Sequence, residues 1–288
     1  MIPDTFKRKL TTKEKFLRLL NHNYMTIISY SGKGGTGKTL SALNIAEEFA
    51  REGFDVGLVD IDIEMNSVAR SMGLLGHKAR TAKKYKQLLP EEHAKYPNLK
   101  IFTLSLMPFF ENKDEGESVF WGGEYKREYV FQMVFDVHWG KPDVMVFDMP
   151  AGISDAIIAL TNIYKKIDYC IVTGLNNHTS TDGMSKAIMT CVDNGIEILG
   201  VVANEDYCVC PKCKFKFHPK GKGRVKQIAE KYGVDYAGGI PLSAKVCRGM
   251  ETGEPFLDSP VYRAMFLKAV NGSKKLSKKY RKLLKKRR

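Results

Sequence analysis

No stretch of the 288-residue chain approaches the roughly 18 consecutive apolar residues that a membrane-spanning helix needs. The opening residues, MIPDTFKRKLTTKEKF, lack the apolar centre of a secretion signal. Together these absences predict a soluble, cytoplasmic protein with no transmembrane segment. Cysteine is scarce, with six in the whole chain and none before Cys170. So few thiols in a chain this long exclude a disulfide scaffold, and in a reducing compartment clustered thiols are metal ligands or redox groups. A second Cys-x-x-Cys is missing as well. Cys210 and Cys213 have chelating spacing, but no further pair completes a four-thiolate site. Acidic residues are absent from the tail KKLSKKYRKLLKKRR (274–288), which carries ten Lys or Arg.

That tail accounts for most of the net charge of +14. Residues 1–20 add six cations against two acids, and setting both ends aside leaves 30 residues of each sign in 21–273. The body is neutral, so its faces give no sign of a nucleic-acid-binding surface. A hydrophobic content of 43% is enough for a sizeable core.

What is present alternates. Apolar runs at 24–30, 55–61, 98–104, 142–149, 168–174, 197–204 and 234–242 predict strands. Helical patterns fall between them at 39–52, 124–137, 154–166, 180–194 and 222–232. Strand–helix alternation predicts an α/β fold, a doubly wound, mostly parallel sheet flanked by helices. The polar, basic segment 76–97 reads as a surface insertion or mobile loop. Thr11 and Glu14 have capping-box spacing ahead of Phe16, Leu17 and Leu20, so 1–22 reads as a basic helical extension. The expected division is that extension, a main domain at 23–260 carrying the cysteine segment 205–220, and a C-terminal helix with its basic tail at 261–288.

SGKGGTGKT (Ser31–Thr39) follows the first strand and opens the first helix. Gly32, Gly37, Lys38 and Thr39 give the order G-x-x-x-x-G-K-T, a phosphate-binding loop that predicts ATP and Mg²⁺ as ligands. Gly34, Gly35 and Gly37 let the backbone curl until its N–H groups face phosphate oxygens, and the helix N-terminus adds partial positive charge. Lys38 is placed for the β- and γ-phosphates, and the Thr39 hydroxyl for Mg²⁺. Asp148 ends the apolar strand VMVFD, where such nucleotide sites keep a carboxylate for the metal shell.

The loop's Lys-Gly-Gly-Thr-Gly-Lys-Thr resembles the deviant phosphate loop of the MinD- and ParA-type ATPases. That resemblance implies a nucleotide site formed by Gly32, Lys33, Gly34, Gly35, Thr36, Gly37, Lys38, Thr39 and Leu40, with Asp60 and Asp148 near the metal. Asp62 is implied to orient the attacking water. Lys33 is implied to cross a dimer interface to the other subunit's phosphates, as a cation supplied in trans stabilises transition-state charge. Pro150-Ala151-Gly152 takes the place of a γ-phosphate switch. Asn204, which ends GVVAN, is implied to contact adenine, with an ordinary Asx turn as the other reading.

In CVCPKCKFKFHP (Cys208–Pro219), Cys210 and Cys213 supply two soft ligands, suited to zinc, copper(I) or an iron–sulfur cluster. A two-fold dimer supplies four. The chain resembles the Mrp/Nbp-type P-loop ATPases from about residue 24 to 260. VDIDIEMNSVARSMGL, HWGKPDVMVFDMPAGISD, LGVVANEDYCVCPKC and IPLSAKVCRGMETGEPF carry the likeness. The resemblance implies a slow ATPase that holds a [4Fe–4S] cluster between the Cys210 and Cys213 pairs of a homodimer and delivers it to apo iron–sulfur proteins. Zinc at the same pair is the alternative metal. Cys208 reads as a neighbour rather than a ligand, Cys170 and Cys191 as core residues, and Cys247 as a loop residue.

Leu276, Tyr280, Leu283 and Leu284 put one apolar face on the basic tail helix. A solvated, frayed terminus and an anionic partner for that helix are both open. A positioning ATPase that binds DNA or membrane through the tail is the alternative to the carrier.

Overall fold

A computed structural model describes residues 23–62, 65–82, 87–107, 123–152, 155–164, 166–254 and 257–287. The helical extension expected at 1–22 lies outside them. The chain begins β1 (Met25–Tyr30), α1 (Lys38–Arg51), β2 (Val56–Asp60), α2 (Ser67–Ser71), β3 (Thr81–Ala82), β4 (Gln87–Leu88), β5 (Glu91–Glu92) and β6 (Leu99–Phe102). It continues α3 (Gly123–Phe135), β7 (Val144–Asp148), α4 (Asp155–Ile163), β8 (Tyr169–Gly174), α5 (His178–Asp193), β9 (Glu197–Val209) and β10 (Lys216–Phe217). It closes with α6 (Arg224–Lys231), β11 (Tyr236–Pro241), α7 (Ala244–Thr252), α8 (Pro260–Gly272) and α9 (Lys274–Arg287).

β1, β2, β7 and β8 are buried at every position. Their unbroken apolar sequence follows from that, because a parallel sheet is covered on both faces. The sheet runs β10-β9-β8-β1-β7-β2-β6-β5, with β11 pairing β9. All pairs among β1, β2, β6, β7, β8, β9 and β11 are parallel, and only the short edges β5 and β10 run antiparallel. The doubly wound α/β expectation holds. No helix among the described residues is long and apolar enough to cross a membrane.

Three local expectations change. The described residues of 76–97 are stitched into the fold instead of forming a loose insertion. β5 extends the sheet beside β6, and Leu88 and His93 are buried. Two-residue strands are too short to leave a periodic signal in sequence. β9 continues five residues past Asn204, because β11 and then β10 keep its backbone paired. Cys247 lies on α7 and is exposed, rather than in a loop. Cys170 and Cys191 are fully buried core residues, as expected.

The tail is a docked helix and not a frayed terminus. Leu276 of α9 is 1% exposed. Tyr280 stacks on Phe54 with ring centroids 6.2 Å apart, meets Phe266 edge-on at 5.4 Å, and accepts a hydrogen bond from Arg263 at 2.9 Å. Lys279 pairs with Asp143 and Asp55, and Arg287 reaches Glu52 at 2.6 Å. Truncating Tyr280 to alanine should destabilise the protein by about 2–3 kcal/mol, since a large, partly buried ring leaves a gap against the core. A denaturant midpoint measures this, and an unchanged midpoint would mean that α9 is not docked in solution.

Candidate functional site

Strand register builds the nucleotide site. Ser29 of β1 sits opposite Asp148 of β7, which sits opposite Asp60 of β2. Three neighbouring strands thus end abreast, at the sheet edge where ligands of such folds bind. From β1 the chain turns into α1 through the glycine loop. The residue capping α1 is Gly37, at φ 93°, and no side chain caps the helix. Its first N–H groups are left for an anion. Ser29 Oγ donates to the Lys38 carbonyl at 2.7 Å, pinning that first turn to β1.

Gly37 is required twice over. Its φ is one that L side chains rarely adopt, and a Cβ there would stand 2.3 Å from Asn204 Nδ2. Gly37→Ala combines about 1–2 kcal/mol of backbone strain with that overlap. Nucleotide affinity should fall about tenfold or more, read by titration with a fluorescent nucleotide; unchanged affinity would show that the loop is not held this way.

A cavity of about 590 Å³ opens over this loop, within the range of small-molecule sites. Gly34, Gly35, Gly37, Lys38, Thr39, Leu40, Asp62 and Asn204 line it. Gly32, Lys33, Thr36, Asp60 and Asp148 do not. Gly32 packs against the backbone of Gly183 so closely that a Cβ would stand 1.9 Å from the Gly183 carbonyl oxygen. The Lys33 carbonyl accepts from Ser31 and Thr36, while the residue itself is exposed outside the cavity. Asp60 and Asp148 are buried behind it.

The second wall escaped the sequence reading. Glu205 and the segment Pro241–Met250 face the loop across the cavity, with Pro241, Leu242, Ser243, Val246, Cys247 and Met250 on the lining. IPLSAKVCRGM carries part of the family likeness, but nothing in its residue types or spacing marks it as a cavity wall. Ala151, in the expected switch, also lines the cavity. That switch is tied to the phosphate loop, since Gly152 N donates to the Ser31 carbonyl at 3.0 Å and Tyr30 Oη to the Gly152 carbonyl at 2.8 Å.

The carboxylates carry the electrostatics. Thr39 Oγ1 donates to Asp148 Oδ2 at 2.6 Å, and the other oxygen, Asp148 Oδ1, is buried with no hydrogen-bond partner. Burial raises the Asp148 carboxyl to about 7, opposed by the Thr39 hydroxyl and the Lys38 ammonium. Burial, then the charges of Asp148 and Asp62, hold Asp60 well above its ordinary value. Lys38 Nζ rests 4.0 Å from Asp62 Oδ2, and Asp62 N donates to Asp60 Oδ1 at 3.1 Å. Among the described residues no group of three or more His, Cys, Asp or Glu is placed to hold a metal. A hydroxyl beside a half-unpaired carboxylate suits magnesium, which keeps several waters and takes one or two protein ligands with substrate phosphates.

β9 joins this site to the thiols. Past Asn204 and Glu205 it runs to Val209, and the turn Cys210–Cys213 leads into β10, with Cys208 paired to Phe217. Cys210 N donates to the Phe215 carbonyl and Lys214 N to the Cys210 carbonyl, each at 2.9 Å. Lys214 at φ 61° closes the turn. The Cys210 thiol is held below its ordinary value by the Cys213 backbone N–H, then the Cys213 thiol and the Lys212 N–H. Cys208 instead turns its Sγ to the Leu242 carbonyl at 3.4 Å. Phe215 and Phe217 stack at 6.5 Å and stand 67% and 43% exposed beside the pair, with Val209 at 48%.

The hairpin is anchored at its base to the cavity wall. Lys220 pairs with Glu205, and His218 Nδ1 lies 2.7 Å from the Asp206 carbonyl. Asn176 Nδ2 donates to Asp206 Oδ1 at 2.6 Å, and Asn176 Oδ1 accepts from Val225 N at 2.9 Å. Glu205 itself holds φ 51°, uncommon for a residue with a side chain.

A glycine loop between β1 and α1, with carboxylates abreast on β2 and β7, defines a P-loop NTPase on a doubly wound sheet. A nucleotide-binding protein of Archaeoglobus fulgidus, solved in complex with ADP, shares this fold with a TM-score of 0.70 at 22% identity, covering 85% of this chain and 93% of that one. Residues 23–272 match the ParA family model described as NUBPL iron-transfer P-loop NTPase, and the chain belongs to that family. It is 32% identical over 238 residues to the iron-sulfur cluster carrier protein of Aquifex aeolicus, covering 81% of this chain and 63% of that protein. It therefore spans less than two thirds of the Aquifex protein's length. To the iron-sulfur cluster carrier protein of Saccharolobus solfataricus it is 30% identical over 236 residues, 80% of this chain and 76% of that protein.

Proposed function

We propose that the chain is an ATP-hydrolysing iron–sulfur cluster carrier. As a homodimer it holds one [4Fe–4S] cluster between two copies of Cys210 and Cys213 and passes it to apo iron–sulfur proteins. The observation that carries this reading is the hairpin itself. Two thiols sit on a tight turn, one of them held below its ordinary pKa by its neighbours, at the tip of a strand whose base lines the nucleotide cavity. Two ligands leave a cluster half-coordinated, so a second copy is needed. The stacked phenylalanines beside the thiols give that copy an apolar surface to cover. The names of the two carrier relatives point the same way.

In this reading the loop N–H groups and Lys38 bind the phosphates, and Thr39 and Asp148 hold magnesium, which supplies charge neutralisation at the phosphates when bound. Asp62 orients the attacking water, and Lys33, exposed outside its own cavity, serves the partner's nucleotide. Asn204 and the Pro241–Met250 wall take the base. Glu205 and Asp206 lie about 17 Å or less along extended β9 from Cys210. A change at the nucleotide therefore reaches the hairpin through β9, Lys220 and His218.

Anaerobic reconstitution with iron and sulfide, followed by transfer to an apo acceptor with and without Mg·ATP, tests the proposal. Expected are a labile cluster and a transfer rate that nucleotide alters. Tightly held zinc that iron and sulfide cannot replace would overturn it.

A further inference from the structure

α9 divides its cations by face. Three reach the body: Lys279 and Arg287 are ion-paired with Asp143, Asp55 and Glu52, and Lys275 Nζ donates to the Asn23 carbonyl. Five others, Lys274, Lys278, Arg281, Lys282 and Lys285, line one shallow groove of about 500 Å³ together with Asn271 and Ser277. Among the described residues none of the five forms an ion pair, and no acid occurs after Asp258 in the sequence. Like charges three and four residues apart on a helix repel. Docking the helix uses the inward cations and accounts for none of these five.

We propose that this outward stripe binds the phosphate backbone of double-stranded nucleic acid. From Lys274 to Lys285 it spans about 16 Å of helix, over which a duplex presents roughly ten phosphate charges. A membrane fits less well. An interfacial helix needs an apolar face to insert, and here Leu276, Tyr280 and Leu283 are packed on the body, leaving only Leu284, 40% exposed, as an outward apolar side chain. A single strand fits less well too, because Tyr280, the aromatic of α9, is stacked on Phe54 and cannot serve as a base platform. With its other face docked, α9 meets the duplex from outside the grooves. Recognition is therefore of phosphate geometry and not of base sequence. The surface is separate from the nucleotide cavity and the Cys210–Cys213 hairpin, so it stands or falls independently of the carrier reading.

The test uses the full chain and a labelled duplex of about 20 base pairs, as DNA and as RNA, followed by anisotropy from low to physiological salt. Neutralising about five phosphates predicts log Kobs falling against log salt with a slope of about −4 to −5, similar for both duplexes. The variant Lys274→Gln/Lys278→Gln/Arg281→Gln/Lys282→Gln/Lys285→Gln should lose about 100-fold or more in affinity at low salt while keeping its denaturation midpoint. Should that variant fold poorly, Lys278→Gln and Lys282→Gln alone should each reduce the slope by about one. Undiminished binding by the variants would overturn the proposal. So would the absence of duplex binding at low salt, or tighter binding to anionic phospholipid vesicles or polyglutamate than to duplex.

Discussion

Replacing Cys210 and Cys213 together by alanine is expected to remove all iron–sulfur cluster from the reconstituted protein and leave nucleotide affinity within about twofold. The effect is all or none because each chain brings only this pair. With both gone, the hairpins offer no thiolate to a cluster that takes four. Folding should be unaffected, since Cys213 is exposed and Cys210 partly so, and surface changes of this kind stay within about 0.5 kcal/mol. Cys208→Ala separates ligation from proximity. Its thiol is turned to the Leu242 carbonyl, so that variant should load normally. Iron, sulfide and visible absorbance report the loading, and equilibrium titration reports the nucleotide. Full loading of the double variant would place the cluster elsewhere.

Asp148→Asn is expected to cut Mg-dependent ATP hydrolysis at least about 100-fold, as losing one positioned charged group at a reaction centre typically does, while making the ligand-free protein more stable. The sign follows from proton binding. Folded Asp148 keeps its proton up to about 7, whereas the unfolded carboxyl releases it near 3.8. Across that window the native state binds more protons than the unfolded state, so stability falls as pH rises and the loss is complete above about 7. Asparagine never ionises, and its carbonyl can still accept from Thr39. The stabilisation should be on the order of 4 kcal/mol at pH 8 and about a third of that at pH 5. Denaturation curves of both proteins at the two pH values, without nucleotide, measure it. A variant less stable at pH 8 would contradict the account of a buried, half-unpaired carboxylate.

Much of this was legible in the residues. The strand–loop–helix order around SGKGGTGKT and the apolar runs ending in Asp60 and Asp148 announced a parallel sheet, because burial on both faces removes alternation. The Cys210–Cys213 spacing is local and survives translation into structure unchanged. What stayed hidden depends on contacts distant in sequence. The Pro241–Met250 wall belongs to a likeness-carrying segment, but its place across from the phosphate loop appears only once β11 brings it there. α9 looked like a solvated tail because its partners Phe54, Asp55, Glu52 and Asp143 lie more than a hundred residues away. Glu205 lies within LGVVANEDYCVCPKC without matching a ligand pattern of its own, and its significance comes from φ 51° and from Lys220.

The account rests on two chains sharing one cluster at the paired hairpins. Native mass measurement of the anaerobically reconstituted protein, combined with iron and zinc analysis, tests this directly. The predicted species is a dimer whose added mass is that of a single [4Fe–4S] unit, reverting to the apo mass when Cys210 and Cys213 are replaced. A monomer carrying its own complete cluster, or a dimer held by zinc, would contradict it.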